Sequence, residues 1–322
     1  MCETDVLKSY ECMNACILNH VSSVEMKING SDIFFAGEGY PISYKKGSLT
    51  EIKSDAYNAN FRFLKKYGFM YSFHKVDPTI DSIKRMLQKS YTITIHMMSD
   101  FLTYDRVFLQ SSGASHFINV LDYDQKQKKL FIVDGSVPTM EKSSFSGWVD
   151  EKDIMRGWQV MQGEVLNVDL KHNLLNTGLL QGIRNDANAH VLVAIKKYLD
   201  GKSSILSSYV TGEQAICFLM EQLRKKVKKK NFRELIQEVN FRLRVDGYIG
   251  AKKFMAEKFF EQEFRLAMEY SKIVDDWSRW CMLLLKSGIG ASEKNIILVQ
   301  SRMQELVERE RKVFEIYIQD NL

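Results

Sequence analysis

The sequence predicts an α+β fold, with a mostly antiparallel sheet domain over residues 1–170 and an all-helical domain over residues 171–322. Three observations predict it. An amphipathic helix opens the chain, short apolar runs separated by turn residues follow it, and nearly everything after residue 170 has helical spacing. With 322 residues, 45% of them hydrophobic, and only 3 prolines, the chain is long enough for two folded cores.

The elements of the first part follow in chain order. Helices are predicted over residues 12–24, over 58–66, where Gly68 favours a helix end, and over 78–88, where Pro78 suits a first turn. Runs rich in β-branched and aromatic residues predict strands. These strands are expected over residues 70–76, 91–97, 115–122, 129–134 and 163–170, with a hairpin joining the third and fourth and a short helix over 150–157.

The second part is predicted to form about five helices. Its apolar residues, Trp277 and Trp280 among them, recur at helical spacing and are core candidates. The predicted ranges are 174–199, 212–229, 232–244, 247–285 with a break, and 292–318. These helices could also supply the surface of a homodimer. No stretch of about 18 uncharged apolar residues occurs, so no membrane span is expected.

The cysteine count, the N-terminal residues and the net charge indicate the compartment of the protein and the classes of partner it is not expected to bind. Five scattered cysteines make a poor disulfide framework, and their odd number favours a reducing cytoplasm. The first five residues carry two acidic side chains and no apolar run, so no signal peptide is expected. A net charge of +5 is mild for this length and does not indicate nucleic-acid binding.

Three residues of the first part suit covalent catalysis. Cys12 opens the first predicted helix, His116 opens a predicted strand, and Asp134 ends the next strand of the same hairpin. In a papain-like Cys-His-Asp site, the imidazole takes the proton of the thiol and the carboxylate orients the imidazole. A helix start beside an imidazolium is expected to lower the pKa of the thiol. We therefore predict a papain-like domain with these three catalytic residues.

Each of these residues also has a structural interpretation. His116 could be a hydrogen-bonded core histidine, and Asp134 could be an ordinary aspartate at a strand-to-turn junction. Cys16, one helical turn after Cys12, is expected to be a small packed residue. A zinc site is not indicated, because the chain has no Cys-x-x-Cys and no close histidine pair.

Two further residues are candidates for binding substrate. The segment Phe34-Phe35-Ala36-Gly37-Glu38-Gly39-Tyr40 lacks the Lys-Ser/Thr of a phosphate-binding loop, so its glycines predict a tight turn. Glu38 could then be exposed in the cleft, although a plain loop glutamate fits equally well. Tyr10 is a candidate for the second donor to a developing oxyanion, beside the backbone N–H of Cys12.

The residues quoted so far resemble one known family. Cys12 at a helix start, the segment from Phe34 to Tyr44, His116 and the strand end at Asp134 look like the butirosin-biosynthesis protein H family. That family has a papain-like N-terminal domain and a helical C-terminal region, and the same order spans this chain. The helical half matches mainly in length and character.

The resemblance implies an acyltransferase. The acyl or aminoacyl donor would be the phosphopantetheine thioester of an acyl-carrier protein, and the acceptor would be a small-molecule amine such as an aminoglycoside or polyamine natural product. Cys12 would carry the acyl group, His116 would shuttle the proton, and Asp134 would orient His116. No cofactor beyond the donor's own phosphopantetheine is implied. Such an enzyme would belong to antibiotic biosynthesis or other specialised metabolism.

Two competing functions remain open at the level of sequence. A cysteine peptidase or amidase is one, but papain-like peptidases place a glutamine six residues before the nucleophile, where this chain has Val6. A non-catalytic binding protein with a vestigial site is the other. The basic run from Arg224 to Lys230 could dock an acidic carrier protein, or it could be a solvated helix end.

Overall fold

The computed structural model describes residues 6–22, 28–39, 43–46, 48, 51–90, 92–110, 114–138, 144–169, 177–201, 208–245, 247–290 and 292–321. The architecture is α+β, with a sheet region followed by a C-terminal helical region. The chain forms two compact units. The first comprises Met1–Ile33 and Asn60–Arg184, and the second comprises Phe34–Ala59 and Asn185–Leu322.

Helices and strands cover most of the described residues. In chain order they are α1 (Cys12–Ser22), α2 (Gly30–Ala36), β1 (Ser43–Lys45), β2 (Ile52–Lys53), α3 (Ala56–Lys66), β3 (Met70–Lys75), α4 (Ile80–Leu87), β4 (Ile93–Met98), a 3₁₀ turn (Ser99–Phe101), α5 (Arg106–Gln110), β5 (Ser115–Asp124), β6 (Lys129–Asp134), β7 (Phe145–Asp150), α6 (Glu151–Val160), β8 (Glu164–Asp169), α7 (Thr177–Asp200), β9 (Tyr209–Thr211), α8 (Glu213–Lys226), α9 (Phe232–Val245), α10 (Tyr248–Gln262), α11 (Phe264–Gly290) and α12 (Glu293–Asp320).

A six-stranded antiparallel sheet is the centre of the first unit, with the strand order β3-β8-β4-β5-β6-β7. Strands β5 and β6 form the predicted hairpin, and their register runs from Asp124 opposite Lys129 to Asn119 opposite Val133. Because the two strands are antiparallel, the start of β5 and the end of β6 lie at the same end of the sheet. His116 and Asp134 therefore meet there.

One face of this sheet forms the main core of the first unit. Ile118 on β5 and Ile95 on β4 are fully buried there, together with Trp158 of α6. Alternation along a strand sends every second side chain to this face, which explains why the strand residues of this core, Ile93, Ile95 and Met97 on β4 and Ile118 and Val120 on β5, occur at a spacing of two. Helix α4 covers the same face through Ile83.

Helix α1 packs on the opposite face of the sheet. Asn119 follows Ile118 and so points away from the main core, and its Nδ2 donates to the backbone carbonyl of Cys16 at 2.9 Å. Near the other end of the helix, Nε2 of His20 donates to the carbonyl of Val168 at 2.8 Å. These bonds to strands β5 and β8 fix how α1 crosses the sheet.

The segment before α1 is tied to the end of β6. Ser9 donates its backbone N–H to the carbonyl of Gly135 at 2.9 Å. The side chain of Asn19 in α1 makes two hydrogen bonds to the backbone of Leu7. Its Oδ1 accepts the N–H of Leu7 at 2.9 Å, and its Nδ2 donates to the carbonyl of Leu7 at 2.6 Å. A Cβ at position 135 would stand 2.3 Å from the Leu7 oxygen, so only glycine permits this close approach.

The second unit is mainly helical, but it also contains a three-stranded sheet with the order β2-β1-β9. Strand β9, which spans Tyr209–Thr211, corrects the prediction that residues 171–322 are all helical. Each strand of this sheet has only two or three residues, which is too short for an alternating pattern to be visible in the sequence.

The compact units divide the chain at other points than the predicted boundary at residue 170. Residues 34–59 group with the helical part, and the later division falls inside α7, between Arg184 and Asn185. The predicted break within residues 247–285 lies at Glu263, between α10 and α11. Across the described residues, no helix combines the length and apolar character needed to cross a membrane.

Candidate active site

The start of α1 is set by the side chain that precedes it. Glu11 accepts the N–H of Met13 on Oε1 at 3.1 Å and the N–H of Asn14 on Oε2 at 2.7 Å, while its carbonyl accepts the N–H of Ala15. These are donors that a helix leaves unsatisfied in its first turn, and a negative charge is favourable there. Glu11 is therefore the N-cap, and Cys12 is the first helical residue, as predicted.

A buried amide network holds the Glu11 carboxylate in place. Nδ2 of Asn60, from α3, donates to Oε2 of Glu11 at 2.7 Å. Asn60 also accepts from Asn14 at 3.1 Å, and Asn14 accepts from the hydroxyl of Ser9 at 2.6 Å. The same carboxylate lies beside the thiol, since Sγ of Cys12 donates to Oε1 of Glu11 at 3.6 Å.

The predicted histidine and aspartate form a buried pair. Nε2 of His116 lies 2.8 Å from Oδ2 of Asp134, and the exposed fractions of the two residues are 6% and 1%. Oδ2 also accepts the hydroxyl of Tyr104 at 2.7 Å, and Oδ1 accepts the N–H of Ser136 at 2.8 Å. Because an ionised carboxylate only accepts, Nε2 carries the proton and Nδ1 is the basic nitrogen of the ring.

The thiol lies next to the backbone of this pair. The N–H of Phe117, in the peptide bond that follows His116, donates to Sγ of Cys12. Within the described hydrogen bonds, none joins Cys12 directly to His116; the thiol donates to Glu11 instead. The structure thus brings His116 and Asp134 into contact and brings Cys12 to the adjacent amide.

The pKa of the Cys12 thiol differs from the expectation. Burial raises this pKa well above the ordinary value of 9.0, and the negative charges of Glu11 and Asp134 raise it further. The N–H of Phe117 acts in the opposite direction but does not outweigh them. The expected lowering by the helix start is therefore wrong for the resting site, because burial disfavours the thiolate and the capping carboxylate adds a negative charge beside the sulfur.

Alkylation of Cys12 should show this raised pKa directly. We expect iodoacetamide to label wild-type Cys12 slowly at pH 7–8 and to label it faster only above pH 9, since only the thiolate reacts. Removing the charge with Glu11→Gln should move the labelling curve to lower pH. The measurement is the rate of labelling against pH, mapped to the peptide by mass spectrometry.

Glu11→Asp is the matched control for that curve, because it keeps the negative charge and a strong N-cap. Exposed Cys217 serves as the internal standard in the same digest. Fast labelling of wild-type Cys12 below pH 8, or identical curves for the wild type and Glu11→Gln, would contradict the effect of Glu11.

The other residues singled out from the sequence, Cys16, Tyr10 and Glu38, differ in how exposed they are and in what they contact. Cys16 is buried and packed, as predicted, with 2% of its surface exposed. Tyr10 is exposed just before Glu11, and its role as an oxyanion donor stays a prediction. Glu38 lies in the predicted tight turn with φ of 59°, and it belongs to the second unit. There its carboxylate is 3.6 Å from Nε2 of His190, and its substrate-binding role also stays a prediction.

Sequence reasoning missed Glu11, Asn60 and Tyr104. Glu11 carried one usable signal, because an acidic residue directly before a helix start is a capping candidate. Asn60 lies 49 residues away from the carboxylate it contacts, and Tyr104 lies in a turn 30 residues before Asp134, so neither showed a local pattern.

Among the described residues, no group of three or more histidine, cysteine, aspartate and glutamate side chains is arranged to hold a metal ion. Comparison with known proteins gives no family: no protein-family model matches the chain, and no curated protein matches it.

Proposed function

We propose that the first unit has a papain-like fold and that the chain is an acyltransferase. It would move an acyl or aminoacyl group from an acyl-carrier-protein thioester to an amine through a thioester on Cys12. One observation carries the proposal. A buried aspartate fixes the tautomer of His116, and the amide next to His116 contacts a thiol at a helix start.

The first half-reaction is an exchange of thioesters. Sγ of Cys12 attacks the donor carbonyl, Nδ1 of His116 takes the thiol proton, and the same proton passes to the sulfur of the departing phosphopantetheine. One C–S bond forms as another breaks, so the step is nearly balanced in energy. The backbone N–H of Cys12 lies in the first turn, has no partner within the helix and is available to the oxyanion.

The raised pKa of Cys12 favours an activated donor over a peptide. The resting thiol is neutral, so a base must remove its proton during the attack. A thioester carbonyl accepts such an attack far more readily than an amide carbonyl does. Position 6, where papain-like peptidases have an amide donor, is Val6 here. Both features support an acyltransferase over a peptidase or amidase.

The test is to mix the protein with acyl-loaded carrier protein and to follow the intact mass. We expect a mass increase equal to the acyl group, mapped to Cys12 and absent from Cys12→Ala. Adding an amine should discharge it as an amide. Product formed by Cys12→Ala would exclude covalent catalysis. Release of free acid without any amine would favour a hydrolase, and no acyl protein with any donor would favour a binding protein.

The same assay tests the carrier protein as donor. Lys228, Lys229 and Lys230 are exposed in the turn after α8, where their positive charge suits an acidic partner. Changing all three to glutamate should slow loading from the carrier protein, while loading from a small pantetheine thioester stays unchanged. Equal loading of the wild type and of the triple-glutamate variant by the carrier protein would place docking elsewhere.

A further inference from the structure

The Glu11 carboxylate accepts four hydrogen bonds in the resting site. A carboxylate offers about four acceptor positions. Oε1 receives the N–H of Met13 and the thiol of Cys12, and Oε2 receives the N–H of Asn14 and Nδ2 of Asn60. Three of these donors are amides that no step of the reaction changes.

Acylation removes only the fourth donor. Once Cys12 carries an acyl group its sulfur has no hydrogen, so the acceptor position on Oε1 that faces the sulfur becomes free. The other three bonds still hold the carboxylate, so it does not need to reorganise. The freed oxygen is left beside the sulfur that carries the reactive carbonyl, at the 3.6 Å that separated it from the thiol.

This inference rests on the proposed acyltransferase function and concerns its second half-reaction. We propose that Oε1 of Glu11 replaces the lost thiol donor with the N–H of the incoming amine and takes the proton that a cationic acceptor must lose before it attacks. Glu11 would thus be a catalytic residue that selects positively charged amines.

The proton balance of this step is complete. The acceptor enters as an ammonium and gives one proton to Glu11, and the neutral amine then attacks the thioester carbonyl. The C–N bond forms and the C–S bond breaks, while a second nitrogen proton passes through His116 to the sulfur of Cys12. Glu11 then releases its proton to water. The net products are an amide, the free thiol and one proton.

The length of the capping side chain supports a role beyond capping. Serine, threonine, aspartate and asparagine are the preferred N-caps, and they reach the first-turn amides with a short side chain. Glutamate at this position extends further and brings Oε1 to the Cys12 sulfur as well. A residue that only started the helix would not need that contact.

The experiment separates the two half-reactions. Wild type, Glu11→Gln and Glu11→Asp are first acylated with an excess of small acyl-pantetheine thioester, and the donor is removed. Spermidine, which is cationic, or hydroxylamine, which is uncharged at neutral pH, is then added, and the loss of acyl protein is followed by intact mass. In Glu11→Gln we expect discharge by spermidine to slow by roughly 10²-fold, as for loss of a general base. Discharge by hydroxylamine should not slow, because this nucleophile has no ammonium proton to lose and Glu11→Gln makes Cys12 a better leaving group.

Glu11→Asp keeps the charge and should retain more of the spermidine reaction than Glu11→Gln. Equal spermidine rates in wild type and Glu11→Gln would overturn the role of Glu11 while leaving the acyltransferase intact. Equal losses with both nucleophiles would reduce Glu11 to a structural cap. A wild-type acyl protein that spermidine discharges no faster than water would also overturn it. Wild type that never becomes acylated would overturn the proposed function itself.

Discussion

Asp134→Asn is expected to slow acylation of Cys12 by roughly 10⁴-fold, the loss typical of a catalytic histidine held in the wrong tautomer. The direction follows from the neighbours of the carboxylate. The N–H of Ser136 can only donate, so the asparagine oxygen must take the position of Oδ1. The asparagine NH₂ group then faces Nε2 of His116, which must accept, and the proton moves to Nδ1. A protonated Nδ1 cannot take the thiol proton.

The measurement is the single-turnover rate of acyl transfer from a pantetheine thioester to Cys12. Tyr104→Phe is the matched control, because it removes one hydrogen bond to the same oxygen but leaves the carboxylate and the histidine tautomer unchanged. Tyr104→Phe should slow acyl transfer to Cys12 by about tenfold or less, which corresponds to the loss of one hydrogen bond worth about 1–1.5 kcal/mol. Wild-type rates in Asp134→Asn would remove Asp134 from the mechanism.

Glu310→Gln is expected to destabilise the second unit by about 3–5 kcal/mol. Glu310 of α12 is fully buried and accepts from Nζ of Lys252 at 2.5 and 2.6 Å. It also accepts the hydroxyls of Tyr198 at 2.6 Å and Tyr270 at 2.7 Å. Losing the negative charge leaves the Lys252 ammonium, which also faces the ring of Trp277 at 4.8 Å, without its counter-charge.

Thermal unfolding followed by circular dichroism measures this effect, and a fall in Tm of about 10 °C is expected for such a loss. Adding Lys252→Met to Glu310→Gln removes the uncompensated charge and should recover most of the stability. A double variant as unstable as Glu310→Gln would show that packing, and not charge, dominates.

The stability of the Glu310→Gln variant should depend on pH through the pKa of Lys252. Burial already lowers the pKa of Lys252 in the wild type, and the Glu310 charge acts against that lowering. Without the charge, the folded-state pKa falls further below the ordinary value of 10.5, so the unfolded chain binds more protons between the two values. The stability of the variant should therefore rise with pH across that interval, and part of the deficit should disappear.

Long elements with a clear period were predictable from the sequence. Helix α12 was expected close to its observed bounds, because its buried residues recur at helical spacing along 28 residues. Strand β6 was expected at its observed bounds for a different reason, because the apolar run from Leu130 to Val133 follows a polar loop and ends at Asp134-Gly135. Helix α2 was missed, since the run from Ile33 to Ala36 is buried on all sides and shows no helical period. Strand β7 was missed as well, since Gly147 and few buried residues weaken its alternation.

Only those parts of the candidate site that depend on residues close together in the sequence were predictable. His116 and Asp134 could be paired in advance, because a hairpin brings the start of one strand to the end of the next. The raised pKa of Cys12 could not be foreseen, because it depends first on how deeply the fold buries the thiol and then on where the capping side chain directs its charge. The contact between Asn60 and Glu11 joins helices α3 and α1 through the tertiary fold.

The hydrogen bond from Ser9 to Gly135 links the segment that precedes Cys12 to the strand end that carries Asp134, and it also couples the opening of these two segments. The strand end that carries Asp134 and the segment that leads into Cys12 cannot separate unless this bond and the paired contacts of Leu7 with Asn19 break together. Their backbone amides should therefore exchange with solvent deuterium in a single cooperative opening. Loss of order at the nucleophile and loss of order at the base would then be one event.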